Sequence, residues 1–279
     1  MEIKILVTVS SEYFSEEAIR RAAYLAARFR GELTLLYIIE ERALQMIDRA
    51  AEYAMTSEER GWTEGQVAEE IRDRAQGMLF ERAAFLAAEE GTRIDRWEIE
   101  QGEYAEEILN CCKRQQVDLI VMSFTRTTLL DYRVLDWATP PIWVEKGKGD
   151  QEIRRILALP SNLSANEELR WIAPEFAQRL EAELHMEYIV DPLRHLAGHR
   201  ALEEKAREGR EFLDRCREEF QSRVERLSCN LTQGRLERLA LSHAREYKAD
   251  LLIFGEIQNR RGLKQRIMTG SPCSVLFVK

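Results

Sequence analysis

Several features are scarce in this chain, and each scarcity narrows what it can be. No apolar run approaches the ~20 residues that a membrane-crossing helix needs. The opening Met1-Glu2-Ile3-Lys4-Ile5-Leu6 has no basic stretch and no cleavage site, so no secretory leader is expected. Five cysteines occur (Cys111, Cys112, Cys216, Cys229 and Cys273), with no CxxC pair and no disulfide-scaffold spacing. Such a sparse, odd set fits reduced thiols and predicts a cytoplasmic location. Basic residues are outnumbered, 41 Lys and Arg against 49 Asp and Glu, for a formal net charge of -8. That balance opposes nucleic-acid binding, which needs a basic surface to release counterions, and equally opposes an anionic membrane as partner.

What is present is a repeat. Val117-Asp118-Leu119-Ile120-Val121-Met122-Ser123 resembles Ala249-Asp250-Leu251-Leu252-Ile253-Phe254-Gly255 at an offset of 132 residues. Gly102 and Gly234, and Pro140 and Pro272, keep the same offset. The starts of the halves also correspond, Ile5–Ser10 with Ile156–Ser161, but 151 residues apart. The first half therefore carries about nineteen extra residues, expected as a helical insert at about 40–64. Two domains follow, residues 1–147 and 152–279, joined by the Gly-rich charged stretch 146–151.

Each half alternates short apolar runs with helical periodicity. In the first half strands are expected at Ile3–Val9, Leu33–Ile39, Arg93–Ile99, Leu119–Ser123 and Ile142–Glu145. Ser15 offers an N-cap to the first helix, Glu16 and Glu17 complement its dipole, and Gly31 ends it. In the second half strands are expected before Ser161 and at Leu184–Val190, Val224–Cys229, Leu251–Gly255 and Val275–Val278. The alternation implies an α/β fold with parallel sheets covered on both faces.

Several residues resemble the universal stress protein family. They are Ile5 to Ile19, Gly31 to Ile38, Gly102 to Leu109, the Ala249-Asp250-Leu251-Leu252 strand, and Ser271-Pro272-Cys273-Ser274-Val275-Leu276-Phe277-Val278. The resemblance covers nearly the whole chain, twice. It implies two Rossmann-like domains, each a five-stranded parallel sheet of order 3-2-1-4-5. It also implies a pseudo-dimer in which Trp143–Lys146 and Val275–Lys279 supply the edge contact. In ATP-binding members the loop after the fourth strand reads Gly-x2-Gly-x9-Gly-Ser/Thr, so that backbone N–H groups approach the phosphates. An Asp ends their first strand.

This chain departs from that pattern. The first half has Ser123 and Arg126 where the glycines would stand. The second keeps Gly255 but has Gln258 three residues on. Pro272 follows Gly270-Ser271 at once, so that pair cannot open a helix over a phosphate, and Ser10 and Ser161 replace the Asp. The expectation is a non-catalytic stress-response protein with degenerate ATP loops and no cofactor, acting on a protein partner, by self-association or on a small ligand. The alternative is an adenine-nucleotide binder, for ATP or AMP, that uses Ser161, Gly255, Gln258 and Gly262 with the basic Arg260, Arg261, Lys264 and Arg266. A weak ATPase is a third reading, and no base or metal-binding carboxylate at the loop supports it.

Other candidates read as structural. His195 and His199 lack further ligands, so no metal site is expected. His185 and His243 stand alone in the sequence, Cys112 falls on a buried stripe, and Cys111 is expected to be more exposed. Ser10, Ser11 and Ser161 have no histidine placed to activate them, and no GxSxG elbow is present. Leu44, Ile47, Ala51, Ala54 and Met55 form an apolar stripe that packs on its own domain or on a partner. Trp137 and Trp143 mark either an interface or the core.

Overall fold

A computed structural model of the chain describes residues 3–41, 69, 71–73, 75–124, 132–147, 149, 151–192, 199–257 and 261–279. The chain forms two compact units, Met1–Pro140 and Pro141–Lys279. The expected insert beyond Glu41, with its apolar stripe, and Arg126, His195, Gln258 and Arg260 lie outside the described residues, as does the side chain of His199.

The first unit runs β1 (Lys4–Ser10), α1 (Glu16–Phe29), β2 (Glu32–Glu40), a π-helical turn at Ala75–Leu79, α2 (Phe80–Glu89), β3 (Arg96–Gly102), α3 (Tyr104–Gln115), β4 (Leu119–Ser123) and α4 (Tyr132–Trp137). Its strands are parallel in the order β3-β2-β1-β4. Strands β1 and β2 read as near-continuous apolar runs because helices cover both faces of a parallel sheet. Ser15 caps α1 as expected, accepting from Ala18 N at 3.1 Å. The helix ends on Arg30, which takes the left-handed conformation (φ 53°). Gly31 serves a different need, since a β-carbon there would meet the Ile3 carbonyl oxygen at 2.4 Å.

The second unit runs β5 (Ile142–Glu145), β6 (Arg155–Leu159), α5 (Glu167–Leu180), β7 (Glu183–Val190), α6 (His199–Phe220), β8 (Leu227–Gln233), α7 (Leu236–Glu246), β9 (Leu251–Phe254), α8 (Arg261–Gly270) and β10 (Ser274–Phe277). Strands β6 to β10 are parallel in the order β8-β7-β6-β9-β10, the 3-2-1-4-5 arrangement. Strand β5 pairs antiparallel with β10, Val144 opposite Val275 and Trp143 opposite Leu276. This is the edge pairing expected of Trp143–Lys146 with Val275–Lys279. Trp143 is fully buried, and its indole N–H donates to the buried Glu145 carboxylate at 2.8 Å.

The repeated aspartate has the same structural task in each unit. Asp118 accepts from Lys4 N at 2.9 Å, and its own N–H donates to Lys4 O. Asp250 accepts from Arg154 N and Arg155 N at 3.0 and 2.9 Å, and its N–H donates to Arg155 O. Each aspartate thus ties the start of the fourth strand to the start of the first.

Two strands lie later than the sequence predicts. Strand β3 begins at Arg96 rather than Arg93, after Asp95 exchanges bonds with Leu33. Strand β8 begins at Leu227 rather than Val224, because Val224 closes the turn after α6 through its N–H to Phe220 O. Cys111 is also a correction. It is fully buried, with its thiol 3.5 Å from Glu98 Oε2, because α3 turns it inward toward β3.

Candidate functional site

In an open parallel sheet, ligands sit in the crevice at the carboxyl ends of the strands, where the strand order reverses. In the second unit that point lies between β6 and β9, neighbours from which the chain goes opposite ways. The chain covers this point itself. The loop that leaves β6 crosses to the end of β9, where Ala165 N donates to Glu256 O at 3.0 Å and Glu256 N to Ala165 O at 3.1 Å.

Ser161 is buried inside this loop. Its hydroxyl lies 2.9 Å from Ser164 Oγ and accepts from Leu163 N at 3.2 Å. Its backbone is held by Asn166, whose carboxamide accepts from Ser161 N at 3.2 Å and donates to Ser161 O at 2.9 Å. Gly255 lies beneath the crossing, where a β-carbon would stand 2.2 Å from Ala165 O. Gly262 lies in the first turn of α8, where Lys264 is buried and Arg266 Nε is paired with Glu237 at 2.5 Å. The structure thus brings Ser161 and Gly255 together under one loop.

The Gly270-Ser271 pair falls at the C-terminal end of α8, where carbonyl groups point outward. Lys146 Nζ donates to Met268 O and Ser271 O there, each at 2.6 Å. That end attracts a cation, the opposite of a phosphate cradle. In the first unit the corresponding loop after β1 is closed by reciprocal backbone bonds between Ser10 and Tyr13, at 2.9 and 3.1 Å. Tyr13 Oη reaches Ser123 Oγ, at the end of β4, at 3.4 Å.

Sequence reasoning missed a second place. His185 and His243, read as solitary, line one pocket of about 280 Å³ with Glu187, Asn230, Glu246 and Tyr247. Glu187 is buried, with Oε2 2.6 Å from His243 Nδ1 and Oε1 2.5 Å from Thr232 Oγ1. Burial holds the His185 pKa below the ordinary imidazole value. Among the described residues no group of three His, Cys, Asp or Glu is placed to hold a metal ion. No described helix is long and apolar enough to cross a membrane.

Residues 3–136 match the Universal stress protein family. The first half of the chain is a universal stress protein domain. Among solved structures, a universal stress protein from Archaeoglobus fulgidus is similar at 14% identity and a TM-score of 0.63, over 98% of this chain and 96% of its own. A functionally unknown protein from Pseudomonas aeruginosa PAO1 follows at 17% identity and a TM-score of 0.62, over 99% and 92%. The cytoplasmic domain of a prokaryotic cation chloride cotransporter has the same fold at 12% identity and a TM-score of 0.57, over 99% and 95%. No curated protein matches the chain. At these identities the likeness is one of fold, and it spans both halves, including the second unit that the family match leaves out.

Proposed function

We propose that this chain is a tandem universal stress protein that acts without catalysis, by binding a protein partner or a small ligand in the cytoplasm, and that its nucleotide crevices are degenerate. One observation carries this reading: the backbone pairing of Ala165 with Glu256 across the reversal point, over Gly255. A triphosphate cradle needs unpaired backbone N–H groups facing the crevice. Here the N–H groups of Ser161, Leu163, Ala165 and Glu256 are all engaged within the protein. A fold kept without its usual cradle is held for its surface or for another site.

The test is calorimetric titration of the full chain with ATP and with AMP. The expected result is no saturable binding below millimolar nucleotide. Micromolar binding of either would overturn the reading in favour of a modified loop built on Ser161, Gly255, Gln258 and Gly262. Steady release of phosphate from ATP would overturn the non-catalytic part.

A further inference from the structure

The pocket on the outer half of the second unit's sheet shares no residue with the crevice. Its floor is β7 and β8, and its wall is α7. His185 and Glu187 alternate with Met186 along β7 and so share one face, while Ser228, Asn230 and Thr232 do the same on β8. Ser228 and Asn230 are exposed at this edge of the sheet, but Glu187 is buried, and a buried carboxylate on a sheet face needs a reason. An apolar face packed beneath α7 would be the ordinary solution for an α/β sheet.

The internal bonds define what the pocket offers. His243 Nδ1 lies 2.6 Å from the buried Glu187 carboxylate, which places a proton on that nitrogen, so that in the neutral ring Nε2 is the acceptor. Nε2 of His243 and the carboxylate of Glu246 have no hydrogen bond or ion pair among the described residues. Asn230 places its Nδ2 3.5 Å from His185 Nε2, so its amide oxygen is a third acceptor. The rings of His185 and Tyr247, 4.9 Å apart, supply an aromatic wall. Neither Lys nor Arg lines the pocket. The nearby Arg226 is paired with Glu183, and Arg155 stands 4.0 Å from Asp250.

We infer that this pocket binds a small organic cation bearing a primary ammonium group, held by the acceptors of His243, Glu246 and Asn230 with its stem against Tyr247 and His185. An ammonium carries three N–H donors and matches three acceptors. The lining holds two carboxylates and no permanent cation, which disfavours an anion. The volume of about 280 Å³ suits a small organic ligand.

Benzylamine is the probe, with benzyl alcohol and benzoate as controls of similar shape. The imidazole resonances of His185 and His243 in the full chain are followed by NMR, assigned by single His→Gln substitutions. Benzylamine is expected to shift both resonances saturably at millimolar concentration, and the controls are not. Glu246 is exposed on α7, so Glu246→Gln keeps the fold and is expected to weaken benzylamine binding about tenfold, the worth of one charge-assisted hydrogen bond. Equal shifts from benzylamine and benzyl alcohol, binding of benzoate, unmoved imidazoles, or full affinity in Glu246→Gln would each overturn the inference. ATP titration reads the crevice and benzylamine reads this pocket, so the two proposals fail separately.

Discussion

The carbonyl oxygen of Ala165 lies over Gly255 so closely that any β-carbon at that position would approach it to 2.2 Å. Contact with backbone cannot be relieved by a rotamer change. Gly255→Ala must therefore push the loop off β9 and break both bonds of the Ala165–Glu256 bridge. The expected cost is about 1–3 kcal/mol, typical of overpacking at a tight site. It should appear as a lower urea midpoint together with faster hydrogen exchange at the Ala165 and Glu256 amides. A variant as stable as the parent, with both amides still protected, would show that the glycine is not there for the crossing.

Buried Glu187 and half-buried His243 make a pair whose removal should depend on how it is done. His243→Ala leaves the Glu187 carboxylate with Thr232 alone, at an expected cost of about 1–3 kcal/mol because the pocket admits water. Replacing both partners, Glu187→Met with His243→Leu, removes the charge as well as its partner and should cost clearly less than the single change. Chemical denaturation of both variants and the parent completes the comparison. A double variant worse than the single would mean that the pair contributes net stability in its own right.

The same residues show why part of this protein was legible in its sequence and part was not. The apolar runs of β1, β2, β4 and β9 announce themselves because both faces of a parallel strand are buried. Strand β8 does not, because Ser228, Asn230 and Thr232 turn a polar face toward His185 and Glu187. The strand expected at Val224–Cys229 overlaps only its start, Leu227 to Cys229, and the apolar Val224 belongs to the preceding turn. His185 and His243 are 58 positions apart, and only the pairing of β7 with β8 and the packing of α7 join them. Gly255 was legible as a special glycine, but its reason was not. A glycine under a crossing loop and a glycine facing a phosphate look alike in one dimension.

Lys146 closes the end of α8 from a distance of more than a hundred residues in sequence. Its ammonium donates to Met268 O and Ser271 O at 2.6 Å each, neutralising the negative end of that helix. Lys146→Met keeps the aliphatic stem and removes the donors. The expected loss is about 1.5–3 kcal/mol, the range for hydrogen bonds to a charged group. Thermal unfolding should show it, and hydrogen exchange should place the loosening in the last turn of α8. A loss confined to β5, with α8 unchanged, would assign the lysine to the strand edge instead.

All five cysteines are thiols, and burial raises the pKa of every one. Cys111, Cys112, Cys216 and Cys273 are pushed up to about 12 from an ordinary value of 9.0, chiefly by desolvation. The consequence for stability has a definite sign. Above the ordinary value the unfolded chain sheds thiol protons that the folded chain keeps, so the unfolded state gains as pH rises. The stabilisation is complete below pH 9 and is lost between about 9 and 12, each thiol contributing up to ~1.4 kcal/mol per pH unit. Tyr188, raised from 10.0 to about 12 by its own burial, adds the same trend above pH 10. The cleanest interval is therefore pH 9 to 10, before tyrosine enters. Urea midpoints should be level from pH 7 to 8.5 and fall between 9 and 10, and a Cys111→Ala variant should fall less steeply than the parent. At pH 8 the folded protein should react far more slowly with a disulfide reagent than the urea-unfolded chain does, since the thiolate is the reacting form. A midpoint that does not move between pH 8 and 10, or native thiols that react as fast as unfolded ones, would show that these side chains meet water in a way that the buried faces of α3 and α6, which carry Cys111, Cys112 and Cys216, do not allow.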